Sequence, residues 1–161
     1  MKIRLLLSIL TLLAFSSPAA AAAQPHEDTE SRNLGIVRAG FDAWAAGTGS
    51  PYDALAADAT WEITGNSVAA RVYHGKEDFL ANVIRPFNAR MSQRLIPSIR
   101  NIYADGDTVI VFFDAEGVAV DGIPYRNTYA WFLTMRDGLV VEAHAFFDSI
   151  AFDELWRRVP A

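Results

Sequence analysis

Three polar residues in the C-terminal half of the chain, Asp114, Asn127 and Tyr129, are of the types that carry proton-transfer chemistry. A carboxyl group among aromatic side chains has a raised pKa and can act as a general acid or base. A tyrosine hydroxyl can stabilise a developing oxyanion, and an asparagine amide can orient a carbonyl group or a water molecule. Each residue also has a structural interpretation: a sheet-edge carboxylate facing solvent or Arg126, a locally paired amide, and an aromatic wall residue.

The strands that must position these residues are indicated most clearly between residues 122 and 152. Two alternating apolar runs flank Asp137-Gly138, and an Asp-Gly pair in this setting is a strong signal for a β-hairpin. A helix is predicted to follow the second strand, with Asp148 as its N-cap.

Successive side chains of a strand point to opposite faces, which assigns the residues of each strand to two sets. On the first hairpin strand, the set suited to a cavity wall is Tyr125, Asn127, Tyr129 and Trp131, while Arg126 and Thr128 suit the outer surface. On the second, Ala143, Ala145 and Phe147 share one face, and His144, Phe146 and Asp148 share the other. On the preceding strand, one set is Phe112, Asp114 and Glu116, and the other is Val111, Phe113 and Ala115. A bulge or bend is predicted at Gly117, and it would shift this register.

The rest of the chain supplies helices and further strands. Apolar residues at three- and four-residue spacing predict a helix from Ser31 that stops at Gly47, and Ser50-Pro51 predicts a short second helix through Ala56. A third helix is predicted over residues 75–91, kinked or ended by Pro86. Strands are predicted at residues 58–64, 94–104 and 108–120. This order indicates an α+β fold with helices laid against one strongly bent sheet.

Residues 1–23 have the pattern of a secretory signal peptide, with Lys2 and Arg4 before an apolar stretch and five alanines at residues 19–23 for cleavage. The apolar stretch is shorter than the ~20 residues that span a bilayer, which favours a signal peptide over a membrane anchor. We therefore expect residues 24–30 to form a flexible leader and residues 31–161 to form the domain. The mature protein is expected to be periplasmic or secreted, with no membrane association after cleavage.

Composition disfavours several classes of partner and site. The 14 basic residues less Lys2 and Arg4 leave 12 against 19 acidic residues, a net charge of about −7, which argues against nucleic acid and anionic membranes. The chain has no cysteine, so thiol chemistry and disulfides are excluded. Its three histidines lack ligand spacing, and neither a metal nor a cofactor is expected. His144 and Asp148 lie four residues apart on a strand, ~13 Å between Cα atoms, too far to form a dyad.

Six local patterns, in this order and spacing, resemble the SnoaL-like group of the nuclear-transport-factor-2-like superfamily. They are Phe41-Asp42-Ala43-Trp44, Asp58-Ala59-Thr60-Trp61, Tyr73-His74-Gly75-Lys76-Glu77, Asn127-x-Tyr129, Arg136-Asp137-Gly138 and Phe146-Phe147-Asp148. The resemblance covers almost the whole mature chain. It implies a cone-shaped α+β barrel in which a strongly bent mixed or antiparallel sheet wraps around about three N-terminal helices.

The resemblance also implies which residues line the pocket of the cone. The positions matching those of related folds are Trp61, Ile63, Phe112, Asp114, Asn127, Tyr129, Ala145 and Phe147. We therefore expect an aromatic cup of Trp61, Phe112, Trp131 and Phe147 for substrate, with Ile63 and Ala145 beside it. Asp114, Asn127 and Tyr129 are the expected catalytic groups in this cup.

The mechanisms of two well-understood relatives do not carry over to this chain. Steroid isomerases of this fold place an aspartate base where this chain has Ile63. Limonene-type epoxide hydrolases use an Asp–Arg–Asp set of which only Asp114 remains, because Phe112 replaces the arginine and Ala145 replaces the second aspartate. A polyketide cyclase, which needs one acid or base and a shaped pocket, is compatible with the residues present.

Three functions stay open at this stage. The first is a cofactor-independent isomerase, cyclase or lyase that acts on a small hydrophobic carbonyl compound. The second is a binding protein that holds such a molecule without turnover. The third is a homodimeric scaffold whose cup is filled by its own side chains, with Phe146 at the dimer interface, and a cavity too small for any molecule beyond water would favour it.

Overall fold

The computed structural model describes residues 25–160. The predicted signal peptide and Gln24 lie outside the described residues. Among the described residues, no helix combines the length and hydrophobicity that a membrane span requires.

Helices lie at both ends of the described chain and between the second and third strands. The helices are α1 Pro25–Ala46, α2 Lys76–Phe79, α3 Arg85–Ala89 and α4 Ser149–Arg158, and a π-helical turn, Leu80–Ile84, joins α2 to α3. The strands are β1 Leu55–Ile63, β2 Val72–His74, β3 Met91–Asp105, β4 Thr108–Ala119, β5 Pro124–Arg136 and β6 Leu139–Phe147.

The six strands form one mixed sheet in the order β2-β1-β6-β5-β4-β3. All neighbouring pairs are antiparallel except β1 and β6, which run parallel. The predicted α+β class with a mixed sheet is confirmed, as are the β5–β6 hairpin and the N-cap of α4, where Asp148 Oδ1 accepts a hydrogen bond from the Ile150 amide at 2.9 Å.

One face of the sheet packs against α1 and forms the core. On β5 the odd-numbered residues from Tyr125 to Met135 are all buried, while Arg126 on the other face is exposed. From α1, the Phe41 ring meets the rings of Phe113 on β4 and Trp131 on β5, with centroids 4.8 Å and 5.5 Å apart. Such edge-to-face pairs add stability beyond the area they bury.

Two segments differ from their predicted structure. Helix α1 begins at Pro25, so most of the segment expected to be a flexible leader is helical. Residues 51–54 form turns instead of a helix. The predicted cap forms, because Ser50 Oγ accepts from the Tyr52 amide at 3.1 Å. Leu55, however, pairs with Val140 of β6. Leu55 and Ala56 therefore belong to β1, and too few residues remain after Ser50 to form a helix.

The helical segment that follows β2 is interrupted as Pro86 predicted. The Arg85 amide bonds to the Leu80 carbonyl five residues back, which defines the π turn. Proline lacks the N–H that would continue the regular bonding pattern, and a π turn is often found at functional sites. This turn places Val83 and Ile84 toward the interior of the cone.

Strand β3 carries three one-residue bulges against β4. The register shifts fall between Met91 and Gln93, between Gln93 and Ile96, and between Ile99 and Asn101. The middle bulge lies opposite Gly117, where β4 keeps a regular register with β5. The irregularity predicted at Gly117 is therefore present, but the extra residue belongs to β3. Bulges bend a strand and increase its twist, which curves this edge of the sheet around the helices.

We expect Gly117→Ala to destabilise the fold by about 1–3 kcal/mol, because a well-packed site resists an added methyl group. A Cβ there would lie 2.7 Å from Met91 Cε and 2.9 Å from the Gln93 carbonyl oxygen. Gly35→Ala on exposed α1 is the matched control. Its Cβ would meet nothing within 4 Å, and it should stabilise by about 0.5–1 kcal/mol. Urea unfolding measures both; equal effects would contradict the close contact at the bulge.

Candidate functional site

The interior of the cone is an aromatic cup with little free space. Its lining residues are Trp44, Tyr52, Trp61, Ile63, Phe79, Val83, Ile84, Phe87, Leu95, Tyr129, Trp131, Ala145, Phe147 and Phe152. The cavity they leave is about 60 Å³, room for a few water molecules. Six of the residues predicted to form the cup are in this set: Trp61, Ile63, Tyr129, Trp131, Ala145 and Phe147.

Stacked rings fill most of the cup. The Trp61 ring stacks on Phe79 with centroids 4.3 Å apart and meets Trp131 edge-on at 5.0 Å. Tyr52 lies 5.8 Å from the Trp131 ring, and Trp44 lies parallel to that ring at 6.3 Å. The cup alone is therefore too small for an organic ligand without side-chain movement.

The cup adjoins an open cleft of about 340 Å³, which we call the mouth. The mouth lies between residues 44–52 on one side and residues 84–95 on the other. Residues that line both the mouth and the cup are Trp44, Tyr52, Ile84, Phe87 and Leu95. A molecule seated in the mouth would therefore contact the rings that close the cup.

Asn127 is buried behind the cup and uses all of its hydrogen-bonding capacity within the protein. Its Oδ1 accepts from the amides of Thr128 and Asp148 at 2.8 Å and 2.9 Å. Its Nδ2 donates to Tyr125 Oη at 2.8 Å and to the Asp148 carbonyl at 3.0 Å. The side chain fastens β5 to the start of α4, and it has no donor or acceptor left for a substrate.

The tyrosines of the interior retain an unused donor. The hydroxyl oxygens of Tyr125 and Tyr129 lie 3.1 Å apart. One hydroxyl hydrogen occupies the space between them, and the other has no partner among the described residues. The Tyr52 hydroxyl also forms no hydrogen bond within residues 25–160. Burial raises the pKa of Tyr52, Tyr125 and Tyr129, so all three stay protonated and act as donors at neutral pH.

Asp114 and Phe112 do not face the cup, contrary to the sequence-based expectation. The inward residues of β4 are Val109, Val111, Phe113 and Ala115, each buried. Asp114 pairs across the sheet with Thr128, a residue of the outer face. Its side chain is 40% exposed, so the predicted interior acid is on the opposite side of the sheet from Tyr129.

The environment of Asp114 lowers its pKa, where an apolar cup would have raised it. Thr128 Oγ1 donates to Oδ1 at 2.7 Å, and Arg100 Nε donates to Oδ2 at 2.6 Å. These two hydrogen bonds stabilise the carboxylate form and hold the pKa of Asp114 below its usual value. The Arg100 guanidinium in turn lies 5.0 Å from the centre of the Phe112 ring.

A wider depression of about 560 Å³ lies on the outer face around Asp114. Two ion pairs lie in or beside it, Arg126 Nε to Glu116 Oε2 at 3.1 Å and the Arg100–Asp114 pair, and the Asp148 carboxylate accepts from the Ile150 amide. It is open to solvent, and its paired charges offer little to a ligand.

His144 and Asp148 occupy separate structural positions. His144 faces outward, and its Nδ1 lies 2.8 Å from Glu62 Oε2, a partner on the neighbouring strand that the sequence did not indicate. Asp148 caps α4. Within residues 25–160, His, Asp and Glu side chains form no group of three that would hold a metal ion.

Sequence reasoning missed Tyr52 and the mouth. Tyr52 lies in the turn that was predicted to be a helix, and its approach to Trp61 and Trp131 depends on the path of residues 47–54. No local pattern marks that path, because it is set by the parallel pairing of β1 with β6.

The profile of the SnoaL-like domain family matches residues 37–143. The chain belongs to this family, and its architecture is the nuclear-transport-factor-2-like α+β cone. No curated protein matches the sequence.

Solved structures share the fold at low sequence identity. Bal32a, from a soil-derived mobile gene cassette, has a TM-score of 0.66 and 22% identity over 80% of this chain and 99% of its own. A candidate SnoaL-like polyketide cyclase from Jannaschia sp. has a TM-score of 0.63 and 22% identity, over 81% of this chain and 94% of its own. TerC, co-crystallised with polyporic acid, has a TM-score of 0.61 and 20% identity, over 77% of this chain and 97% of its own. At this identity the likeness shows the fold alone.

We expect Asp114→Asn to lower the free energy of unfolding at pH 7, because the folded state binds the carboxylate through Thr128 and Arg100. A depressed pKa stabilises the fold above the ordinary value of 3.8, and this contribution is lost as pH falls below it. Urea midpoints of variant and wild type should therefore converge under acid conditions. Glu116→Gln, in the more exposed pair with Arg126, is the control and should show a smaller difference. If the urea midpoint of Asp114→Asn stayed below that of wild type under acid conditions, the stabilising role of the Asp114 carboxylate would be contradicted.

Proposed function

We propose that this protein binds a small, flat, largely apolar molecule that bears a carbonyl oxygen, with the body of the molecule in the mouth and its carbonyl end in the cup. The observation that carries the proposal is the unpartnered hydroxyl donor of the Tyr125–Tyr129 pair within an aromatic interior. A buried donor without an acceptor is costly, and a ligand carbonyl would satisfy it. Tyr52, between mouth and cup, supplies a second donor.

The dimensions of the two spaces determine how such a ligand fits. The cup holds about 60 Å³ and the mouth about 340 Å³. A bicyclic molecule therefore rests against Trp44 and Tyr52 in the mouth, and only its polar end enters the cup. Ligand pockets commonly combine an apolar lining with a few such polar groups.

Binding is favoured over acid–base turnover by the types of residue in the cup. Among its described lining residues there is no carboxylate, histidine, lysine or arginine. The tyrosines have raised pKa values because they are buried, so they donate hydrogen bonds but do not accept protons at neutral pH. The cyclase or isomerase alternative would need a base from the ligand itself.

Two structural relatives support a small-molecule role for the fold. TerC was co-crystallised with polyporic acid, and the Jannaschia protein is a candidate polyketide cyclase. Both have under 25% identity to this chain, so they support the general class of ligand and leave the particular molecule open.

A homodimeric scaffold is the second candidate function, and the small volume of the cup favours it. On the outer sheet face, Phe132 and Phe146 are 36% and 45% exposed, and their rings pack edge-to-face at 6.0 Å. An exposed aromatic pair of this kind fits an interface with a second copy. Native mass spectrometry of protein from its own host distinguishes the two: a co-purifying small molecule supports binding, and a ligand-free dimer supports the scaffold.

We expect Tyr129→Phe to weaken the binding of 2-acetonaphthone, a flat neutral ketone, by about 2- to 10-fold, the value of one hydrogen bond. Naphthalene, which lacks the carbonyl, should bind variant and wild type equally. Isothermal titration calorimetry measures both affinities. Tyr103→Phe on the exposed outer face is the matched control and should change neither.

Asp114→Asn should also leave ketone binding unchanged, because Asp114 is on the other side of the sheet. The proposal fails if wild-type protein binds 2-acetonaphthone no better than naphthalene, or if Tyr129→Phe has no effect. If neither compound binds, the result supports the homodimeric scaffold as the function.

A further inference from the structure

We propose that the mouth selects ligands that carry an acidic group, and that Arg94 binds this group. The inference rests on the proposed function, because it assumes that the apolar body of the ligand lies in the mouth and cup. It narrows the ligand class to flat aromatic or conjugated acids with a carboxylate or a similarly acidic oxygen at the end opposite the buried carbonyl.

Arg94 reaches the mouth because of the middle bulge of β3. Arg94 and Leu95 together oppose Gly117, so the usual alternation of faces is broken at this point. Leu95 is buried and lines the cup, while the adjacent Arg94 lines the mouth. In a regular strand these two neighbours would point to opposite faces of the sheet. Bulges commonly re-aim a side chain in this way.

The end of α1 fixes the Arg94 guanidinium in place. Nη1 donates to the Trp44 carbonyl and Nη2 donates to the Ala45 carbonyl, both at 2.7 Å. A cation that bonds the last carbonyls of a helix is a favourable arrangement. The same bonds hold Trp44, whose ring separates the mouth from the cup. The guanidinium is therefore positioned before any ligand arrives.

Three of the five guanidinium N–H groups remain available. Arg94 forms no ion pair within residues 25–160, whereas Arg71, Arg85, Arg100, Arg126 and Arg158 each contact a carboxylate. No carboxylate lines the mouth among the residues described, and Arg94 is the charged residue of that lining. An arginine with free donors in an apolar cleft is suited to a carboxylate ligand.

Gly47, the residue that follows α1, lets the Arg94 guanidinium pack closely on the end of this helix. A Cβ at Gly47 would lie 3.0 Å from Arg94 Nε, 3.1 Å from Cζ and 3.2 Å from Nη2. Gly47 also has a φ of +73°, which other residues rarely adopt. Glycine at this position therefore lets the guanidinium approach the helix end closely enough to bond the carbonyls of Trp44 and Ala45.

The test compares 6-acetyl-2-naphthoate (the acid), which carries a carboxylate at the end opposite its ketone, with 2-acetonaphthone (the ketone), which lacks the carboxylate. By isothermal titration calorimetry, wild-type protein should bind the acid about 3- to 10-fold more tightly than the ketone. Arg94→Gln should abolish this preference while ketone binding persists. Arg38→Gln removes an exposed positive charge on α1, away from the mouth. It is the matched control for net charge and should still bind the acid more tightly than the ketone.

A measurement on the wild type alone guards against loss of the α1 contact in the variant. Raising NaCl from about 50 to about 500 mM should weaken binding of 6-acetyl-2-naphthoate and leave binding of 2-acetonaphthone unchanged, because salt screens the ionic contact. Equal affinity of wild type for the two probes, a preference that survives Arg94→Gln, or no salt dependence would overturn the role of Arg94. Each of those results leaves the proposed function intact if the ketone binds. Failure of both probes to bind would overturn the proposed function together with this inference.

Discussion

The extra residues of β3 are the constraint on which the architecture of the site depends. Strand β3 has 15 residues and its partner β4 has 12, and the three bulges absorb the difference. Because each bulge adds local bend and twist, the edge of the sheet curls toward the helices and encloses an interior. The same bulges determine where two arginines point: Arg94 reaches the end of α1, and Arg100 reaches Asp114. Close packing of β3 against Gly117 keeps the middle bulge in register.

A second constraint is the satisfaction of buried polar groups behind the cup. Asn127 is 6% exposed and connects β5 to the backbone of Asp148, so the hairpin and α4 are held in one geometry. A buried amide must find all of its partners, and here the last of them is the Tyr125 hydroxyl. Because only one hydroxyl hydrogen can lie between the oxygens of Tyr125 and Tyr129, the hydrogen of the other hydroxyl has no acceptor among the described residues. The hydroxyl donor that we propose binds a ligand carbonyl is thus left over from the network that stabilises the fold.

The sequence predicted the strands of the hairpin well, because Asp137-Gly138 marks the turn locally and large apolar residues recur at most alternate positions of β5 from Tyr125 to Met135. It also predicted the cap of α4 and the effect of Pro86, since both depend on local chemistry. The face of β4 could not be predicted in this way. Phe112 and Phe113 are adjacent aromatic residues, so hydrophobicity alone does not distinguish the two sets. The pairing of Asp114 with Thr128 decides between them, and cross-strand register is a tertiary property. The turn at Tyr52 escaped prediction for a related reason, because pairing of Leu55 with β6 overrides the local helix signals.

The placement of charge follows from the energetics of desolvation. An ionised carboxylate in the cup would lose its hydration among aromatic rings and find no cation there, a cost of several kcal/mol in a protein interior. Asp114 avoids that cost on the outer face, where Thr128 and Arg100 bind it. The same reasoning applies to an acidic ligand. In the proposed binding mode its carboxylate stays at the mouth, where Arg94 offers donors, and its neutral carbonyl enters the cup, where the tyrosine hydroxyls donate to it. In this binding mode, the fold would orient an amphiphilic acid by excluding its charge from the interior, and no carboxylate or basic side chain lines the cup among the residues described.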